Sequence, residues 1–340
     1  MDAFATEMRQ QPEALHTLAT FYADAGEAQL DAAARDLGAP LLTGMGASYH
    51  AAAIMVQYWH HLGIGGTAME ATDVINYGEW QRRHTNAVIY VSQSGASAEV
   101  LPLADGLSRD HTLIGVTNDE ASPLARRAAL VLPLLAGRET LVACKTYVNA
   151  LALLWLLGRR TAGRTDGRER TILARVADGI AALLARDTEI AARWLDALGD
   201  AERLIFVGHG PYAVTARHCA MMAAEWAKRA VLALSVGAFR HGFVEIVRPG
   251  DGIVVFAPPG AGAASALALA GELAGYGGRV LVVAQGETHT AADASRADGG
   301  EQWLSPLLDV VPAQLFVHAL AAASGVPPGF RRISKITTQL

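Results

Sequence analysis

The 340-residue chain has little of what several specialised protein classes require. It has two cysteines, Cys144 and Cys219. They stand far apart, match no metal spacing and offer no disulfide framework. Reduced thiols of this kind fit a reducing compartment. The eleven histidines form no His-Glu-x-x-His pattern and no His/Cys cluster, so no metal is expected. Charged residues make up 18% and the net charge is −5. No Lys/Arg block or aromatic–basic stripe is present, which argues against a nucleic-acid partner. The N-terminal MDAFATEMRQQPEAL lacks a basic n-region, an apolar h-region and a cleavage site. The longest apolar run, around ALLWLL (152–157), is too short to cross a bilayer, so no membrane is expected. These absences predict a cytoplasmic globular protein.

What the chain does have is apolar sequence, 51% of it, over a length that suits two domains. Short β-rich runs alternate with longer helical ones. Candidate strands lie at 40–44, 87–91, 112–117, 129–134, 203–208, 252–257 and 279–284. Most are unbroken apolar runs, as parallel strands covered on both faces should be. Candidate helices lie at 49–61, 98–107, 143–158, 170–197, 212–228, 262–274 and 311–323. The alternation predicts an α/β protein with parallel sheets. The polar, glycine-bearing GRRTAGRTDGRER (158–170) is the best linker.

The two halves echo one another. LLTGMGASYHAA (41–52) has a strand, a Gly-x-Gly and a helix, and LIFVGHGPYAVT (204–215) repeats the arrangement. AVIYVSQSGAS is echoed by GIVVFAPPGAG, with 49 residues from Gly46 to Gly95 and 50 from Gly210 to Gly260. Two tandem α/β units, 1–165 and 166–340, are therefore expected. The echo is unequal. The first copy reads Ser92-Gln93-Ser94-Gly95 where the second reads Ala257-Pro258-Pro259-Gly260. Ending a strand does not require hydroxyls, so the first copy looks specialised to donate hydrogen bonds.

Open parallel sheets bind ligands beyond the carboxyl ends of their strands, and helix N-termini there favour anions. TGMGAS (43–48) and VSQSGAS (91–97) are two hydroxyl-bearing loops of that kind. TGMGASYHA lacks the third glycine of a dinucleotide fingerprint and the Gly-Lys-Ser/Thr of a nucleotide-phosphate loop. The pair points to a phosphorylated small molecule, with no cofactor.

GMGASYHAA and VSQSGASAEVLPL resemble the sugar isomerase (SIS) domain, and the tandem copy resembles the double-SIS form. They are similar to the isomerase half of glucosamine-6-phosphate synthase and to phosphosugar deaminases and isomerases of the same build. EMRQQPEAL (7–15), SPLARRAALVLPLLAGRE (122–139) and the tail GFRRISKITTQL (329–340) extend it nearly end to end. The resemblance implies two SIS domains, each a parallel sheet wrapped by helices in a flavodoxin-like, three-layer α/β/α build. It places Ser48, Ser92, Gln93, Ser94 and Ser97 on the sugar phosphate, and Gly46, Val142 and Cys144 around the sugar. It assigns Glu225 to proton transfer, His241 to ring opening and Lys335 to the sugar carbonyl. It implies a homodimer in which His241 can act across the interface. Departures fall at Met222, where the family carries lysine, at His218 and Ala238, where it carries acids, and at Phe243, where it carries proline. They change the sugar pocket and leave the phosphate cradle whole.

The chemistry is coherent for these residue types. One carboxylate over one face of an enediol can move a proton between adjacent carbons. Opening a cyclic hemiacetal suits histidine. A lysine can stabilise the enediolate oxygen or form an imine. The reaction implied is isomerisation or deamination of a hexose 6-phosphate or amino-hexose 6-phosphate. Neither cysteine lies near the N-terminus, so glutamine-dependent synthesis by this chain alone is not expected. A phosphosugar-binding regulator without turnover, and an enzyme for another phosphosugar such as a fructosamine 6-phosphate, stand as alternatives.

Overall fold

The computed structural model describes residues 2–35, 37–108, 111–291 and 302–336. In these residues the chain forms two compact units. The first is Gln10–Ala177 with Phe330–Leu340; the second is Met1–Arg9 with Asp178–Gly329. The boundary expected at 165/166 sits beside a division at 177/178, inside the helix Glu169–Ala185.

The first unit holds β1 (Leu41–Gly44), β2 (Thr67–Glu70), β3 (Ala87–Ser92), β4 (Thr112–Thr117) and β5 (Leu130–Pro133). All pairs are parallel, in the order β2-β1-β3-β4-β5, with Leu41 opposite Val88 and Val88 opposite Leu113. β1 and β3 are buried along their whole length, which is why LLTG and AVIYVS show no polar alternation. On one face Val88, Tyr90 and Leu113 pack with Val74, Val100, Leu103 and Leu124. The other face is covered by helices Gly46–His61 and Lys145–Thr161, tied where Trp59 Nε1 donates to Leu154 O at 3.0 Å. Asn149, fully buried, donates to Ala14 O at 3.0 Å and Leu134 O at 2.8 Å. One amide thereby anchors helix Gln11–Tyr22 and the segment leaving β5.

The second unit holds β6 (Leu204–Gly208), β7 (Val231–Ser235), β8 (Gly252–Phe256), β9 (Arg279–Ala284) and β10 (Glu287–Thr290). Their order, β7-β6-β8-β9-β10, repeats that of the first sheet. The repeat departs at its last strand, because β10 runs antiparallel to β9. Gln285 and Gly286 join them, both with positive φ (53° and 80°), as a two-residue hairpin turn requires.

Several expectations need correcting. The helix expected over 170–197 breaks at Arg186 into Glu169–Ala185 and Asp187–Leu198. That expected over 212–228 runs from Pro211 to Met222 and continues as a π-turn, Ala223–Ala227. The stretch Gln302–Ala323 is long and apolar enough to cross a membrane by length and composition, contrary to the reading of the apolar runs. Most of it is buried within the protein, and Pro306, Asp309, Pro312, Gln314 and His318 interrupt its apolar sequence.

Asp309 is the notable group on that helix. It is fully buried and accepts from Gly286 N at 2.7 Å, holding the β9–β10 turn. Burial raises its pKa from 3.8 to about 7, against the lowering effect of the Gly286 and Gln285 N–H groups. A raised acid binds its proton more tightly in the folded state. Stability should therefore fall as pH rises from 3.8 to about 7 and level off above. The slope is at most about 1.4 kcal/mol per pH unit. Asp309→Asn should flatten this dependence, measured as the difference in urea unfolding between variant and parent at a series of pH values.

Candidate functional site

The strand order 2-1-3-4-5 has its topological switch between the first and third strands, where chain connections leave in opposite directions. The two hydroxyl-bearing loops sit there in the first unit. β1 ends at Gly44, and the helix Gly46–His61 starts two residues later. A β-carbon at Gly44 would lie 2.5 Å from Val91 O and 3.0 Å from Ser48 Cβ, so the close approach of β1, β3 and the helix start admits no side chain. Ser48 is half-buried in the first turn of that helix, with Gly46 just before it.

The second loop folds on itself. Ser92 Oγ accepts from Gly95 N at 3.1 Å, and Ser94 Oγ accepts from Ala96 N at 3.2 Å. A hydroxyl that accepts from its own loop can still donate outward. Gly95 has φ +58°, and a β-carbon there would meet Ser122 Oγ at 2.1 Å and Thr117 Oγ1 at 2.9 Å. Asn118 N donates to Gln93 O at 3.0 Å and Leu124 N to Gly95 O at 2.9 Å. The segment following β4 thus fixes the loop from outside. Ser92 is buried; Gln93, Ser94 and Ser97 are half-buried.

The first unit also brings together Val142, Cys144 and Lys335 around a residue that sequence reasoning missed. Glu139 has a fully buried side chain. It accepts from Cys144 N at 2.9 Å, Thr146 N at 3.2 Å and the Thr146 hydroxyl at 2.5 Å. Lys335 Nζ donates to its Oε2 at 3.1 Å and also to Leu141 O. Burial alone would raise the Glu139 pKa. The Lys335 charge, then the Thr146 hydroxyl and the two N–H groups, outweigh it and hold the carboxyl below its ordinary 4.5. The tail residues 331–334 are exposed, so this ion pair is what seats Lys335. Val142 is 1% exposed, and Cys144 caps the helix Lys145–Thr161 with its thiol buried. The signal available in sequence was one acid, Glu139, inside the apolar stretch VLPLLAGRETLVAC. Of the tail, residues 337–340 lie outside those described.

Glu225 and His241 belong to the second unit. Glu225 is half-buried within the π-turn Ala223–Ala227. Such turns recur at functional sites because they re-aim one side chain out of helical register. Trp226 backs the turn, its ring 4.9 Å from Phe4 and 6.3 Å from His318. His318 Nε2 lies 2.8 Å from Asp2 Oδ2, so the N-terminal helix Ala3–Arg9 is pinned behind Glu225. β7 follows, and Ser235 caps the short helix Val236–Arg240, accepting from Ala238 N at 3.1 Å. His241 ends that helix and is exposed, as are Phe243 (43%) and Ile246 (39%).

A repeated 2-1-3-4-5 sheet with a hydroxyl-lined loop at one switch point defines a tandem α/β protein. The SIS domain family matches residues 40–160 and 197–324, and the chain belongs to that family. It is similar to glutamine–fructose-6-phosphate aminotransferase [isomerizing] of Aeropyrum pernix, 30% identical over 98% of this chain and 56% of that one. The chain spans about half the length of the curated relatives it matches. Its fold is that of the C-terminal domain of glucosamine-fructose-6-phosphate aminotransferase from Francisella tularensis (TM-score 0.82, 20% identity, 97% and 98% of the two chains). It is equally that of glucosamine-6-phosphate deaminase from Thermotoga maritima (TM-score 0.75, 22% identity, 99% of both chains).

Two outcomes are expected. Gly95→Ala combines a left-handed backbone with a clash and should cost about 1–2 kcal/mol or more, measured by chemical unfolding. Lys335→Met leaves a buried carboxylate without its cation and should destabilise the first unit by about 3 kcal/mol at neutral pH. Because the Glu139 pKa is lowered, its contribution is whole above 4.5 and is lost as pH falls through the folded value. The deficit of Lys335→Met in chemical unfolding should shrink over that acid range.

Proposed function

We propose that the chain is a phosphosugar isomerase or deaminase. It acts on a hexose 6-phosphate or amino-hexose 6-phosphate by ring opening and proton transfer between C1 and C2. The observation that carries this reading is the self-bonded hydroxyl loop Ser92–Ser97 at the switch point. A cradle of hydroxyl and amide donors suits a phosphate monoester, and the names of the relatives above refer to hexose 6-phosphates.

In this reading Ser48, Ser92, Gln93, Ser94 and Ser97 hold the phosphate, and Gly46, Val142 and Cys144 border the sugar. Glu225 carries the proton between C1 and C2, and His241 opens the ring. Lys335 has three N–H donors. Two are given to Glu139 and Leu141 O, and the third serves the oxygen that becomes anionic in the enediolate. His241 sits in an exposed segment beside Phe243 and Ile246. Exposed apolar side chains next to a functional group mark an interface. We infer that a second copy covers this segment and that His241 serves the neighbouring subunit's sugar.

The test is NMR in heavy water with glucosamine 6-phosphate and fructose 6-phosphate. Deuterium should enter at C1 or C2, and Glu225→Gln should slow it by about 10²–10⁴-fold. Ser94→Ala should raise KM with kcat retained, as loss of uniform binding does. Mixing inactive Glu225→Gln and His241→Ala chains should restore activity if the histidine acts across a dimer. Phosphate-dependent binding of both sugars with no exchange after long incubation would replace this reading by that of a phosphosugar-binding protein.

A further inference from the structure

Lys228 holds a backbone position that favours another residue. Its φ is +55°, in the left-handed region that glycine or asparagine usually occupies. The position closes the π-turn: its N–H bonds to Ala223 O, and Arg229 N bonds to the same oxygen at 3.1 Å. Glycine would close that turn with less strain. What lysine adds is an ammonium group, and it is used twice. Nζ donates to Glu225 O and, at 2.9 Å, to Gly329 O.

The two acceptors are not equivalent neighbours. One is the carbonyl of Glu225 itself. The other is the last residue of the second unit, directly before Phe330, where the segment carrying Lys335 begins. That root is thinly packed. Residues 322–325 and 327–328 are exposed, and Gly329 has no side chain to bury. An ammonium, with three donors and no acceptor, can satisfy two carbonyls at once in a way no apolar side chain can.

Resting on the assignment of Glu225 to proton transfer, we propose that Lys228 is a positioning residue. It fixes the turn of Glu225 to the root of the tail that bears Lys335, so that one cation sets the base and the start of the segment carrying the second functional cation. Loss of the ammonium frees both segments, and small displacements of a positioned base cost on the order of 10²-fold in rate.

The experiment uses the full chain and three variants: Lys228→Met, Lys228→Gly and Lys228→Arg. Glycine removes the ammonium while easing the left-handed backbone, so it tests the link even if methionine impairs folding. Amide hydrogen exchange is read at 223–229 and 326–336, and turnover of glucosamine 6-phosphate alongside. The expected result is faster exchange in both segments for methionine and glycine, with kcat lowered on the order of 10²-fold, KM within about twofold and both largely rescued by arginine. Faster exchange at 223–229 with an unchanged tail overturns the proposal. So does a wild-type kcat in the glycine variant. If the parent turns over no phosphosugar, yet both segments loosen together and arginine restores them, the link stands and the functional reading fails.

Discussion

A parallel sheet satisfies its backbone along the strands and leaves the carboxyl edge to the loops. The rest of this protein follows from how those loops close. The ladders of β1 and β3 end at Gly44 and Ser92, paired with Glu70 and Thr117, and the residues beyond need other partners. The loop after β3 solves this with its own side chains: Ser92 and Ser94 take the N–H groups of Gly95 and Ala96. The solution works only because Gly95 is left-handed and bare, letting Ser122 and Thr117 close against it. The arrangement that finishes the strand thus also gathers the hydroxyls of Ser92 and Ser94 into one loop beyond β3.

The two units each bury a carboxyl group, and the contrast shows what decides its charge. Glu139 has three hydrogen-bond donors and a lysine, and is held ionised below its ordinary value. Asp309 has backbone N–H groups alone, and burial wins, raising it to about 7. Desolvation is the largest influence on both; the difference is the Lys335 ammonium, aided by the Thr146 hydroxyl. The first carboxyl can therefore seat a charged tail residue, whereas the second anchors a hairpin turn and takes up its proton far more readily. Lys335 is oriented by the first arrangement, which is why an otherwise exposed tail presents an ordered cation.

The sequence carried the interior of the fold and lost three of its four edges. Continuous apolar runs marked β1, β3, β4, β6, β8 and β9, because strands buried on both faces have no polar positions to hide, and ALVLPL marked the edge strand β5. The strands missed were β2, β7 and β10, all at sheet edges. TAME and ETHT are too polar to read as strands, since an edge strand faces water on one side. The hydroxyl loop was legible because its copy in the second half lacks hydroxyls. Glu139 was not, because a single acid in an apolar stretch has no periodicity, and its partner lies 196 residues away. The π-turn was invisible for another reason: Ala223–Ala227 has ordinary helical composition, and its register is set by Trp226 packing on Phe4 and His318.

The unequal echo between the halves has a physical account as well. At the end of β8 the second unit places Gly260 at φ +144°, where a β-carbon would fall 2.1 Å from Gln302 Oε1. Gln302 is further held by Tyr212, whose hydroxyl donates to its carbonyl at 2.6 Å. In the second unit the loop that corresponds to Ser92–Ser97 therefore packs against the chain's own glutamine. Pro258 and Pro259 leave that loop with two fewer backbone N–H donors than its counterpart. A duplicated fold has two switch points, and a small ligand requires one. With the second packed against Gln302, the second unit is free to vary at its other loops, and its π-turn and the segment after β7 are where Glu225 and His241 stand. The inequality between the copies is thus one of side chains: the first loop carries three hydroxyls and bonds to itself, whereas the second carries prolines and packs against Gln302.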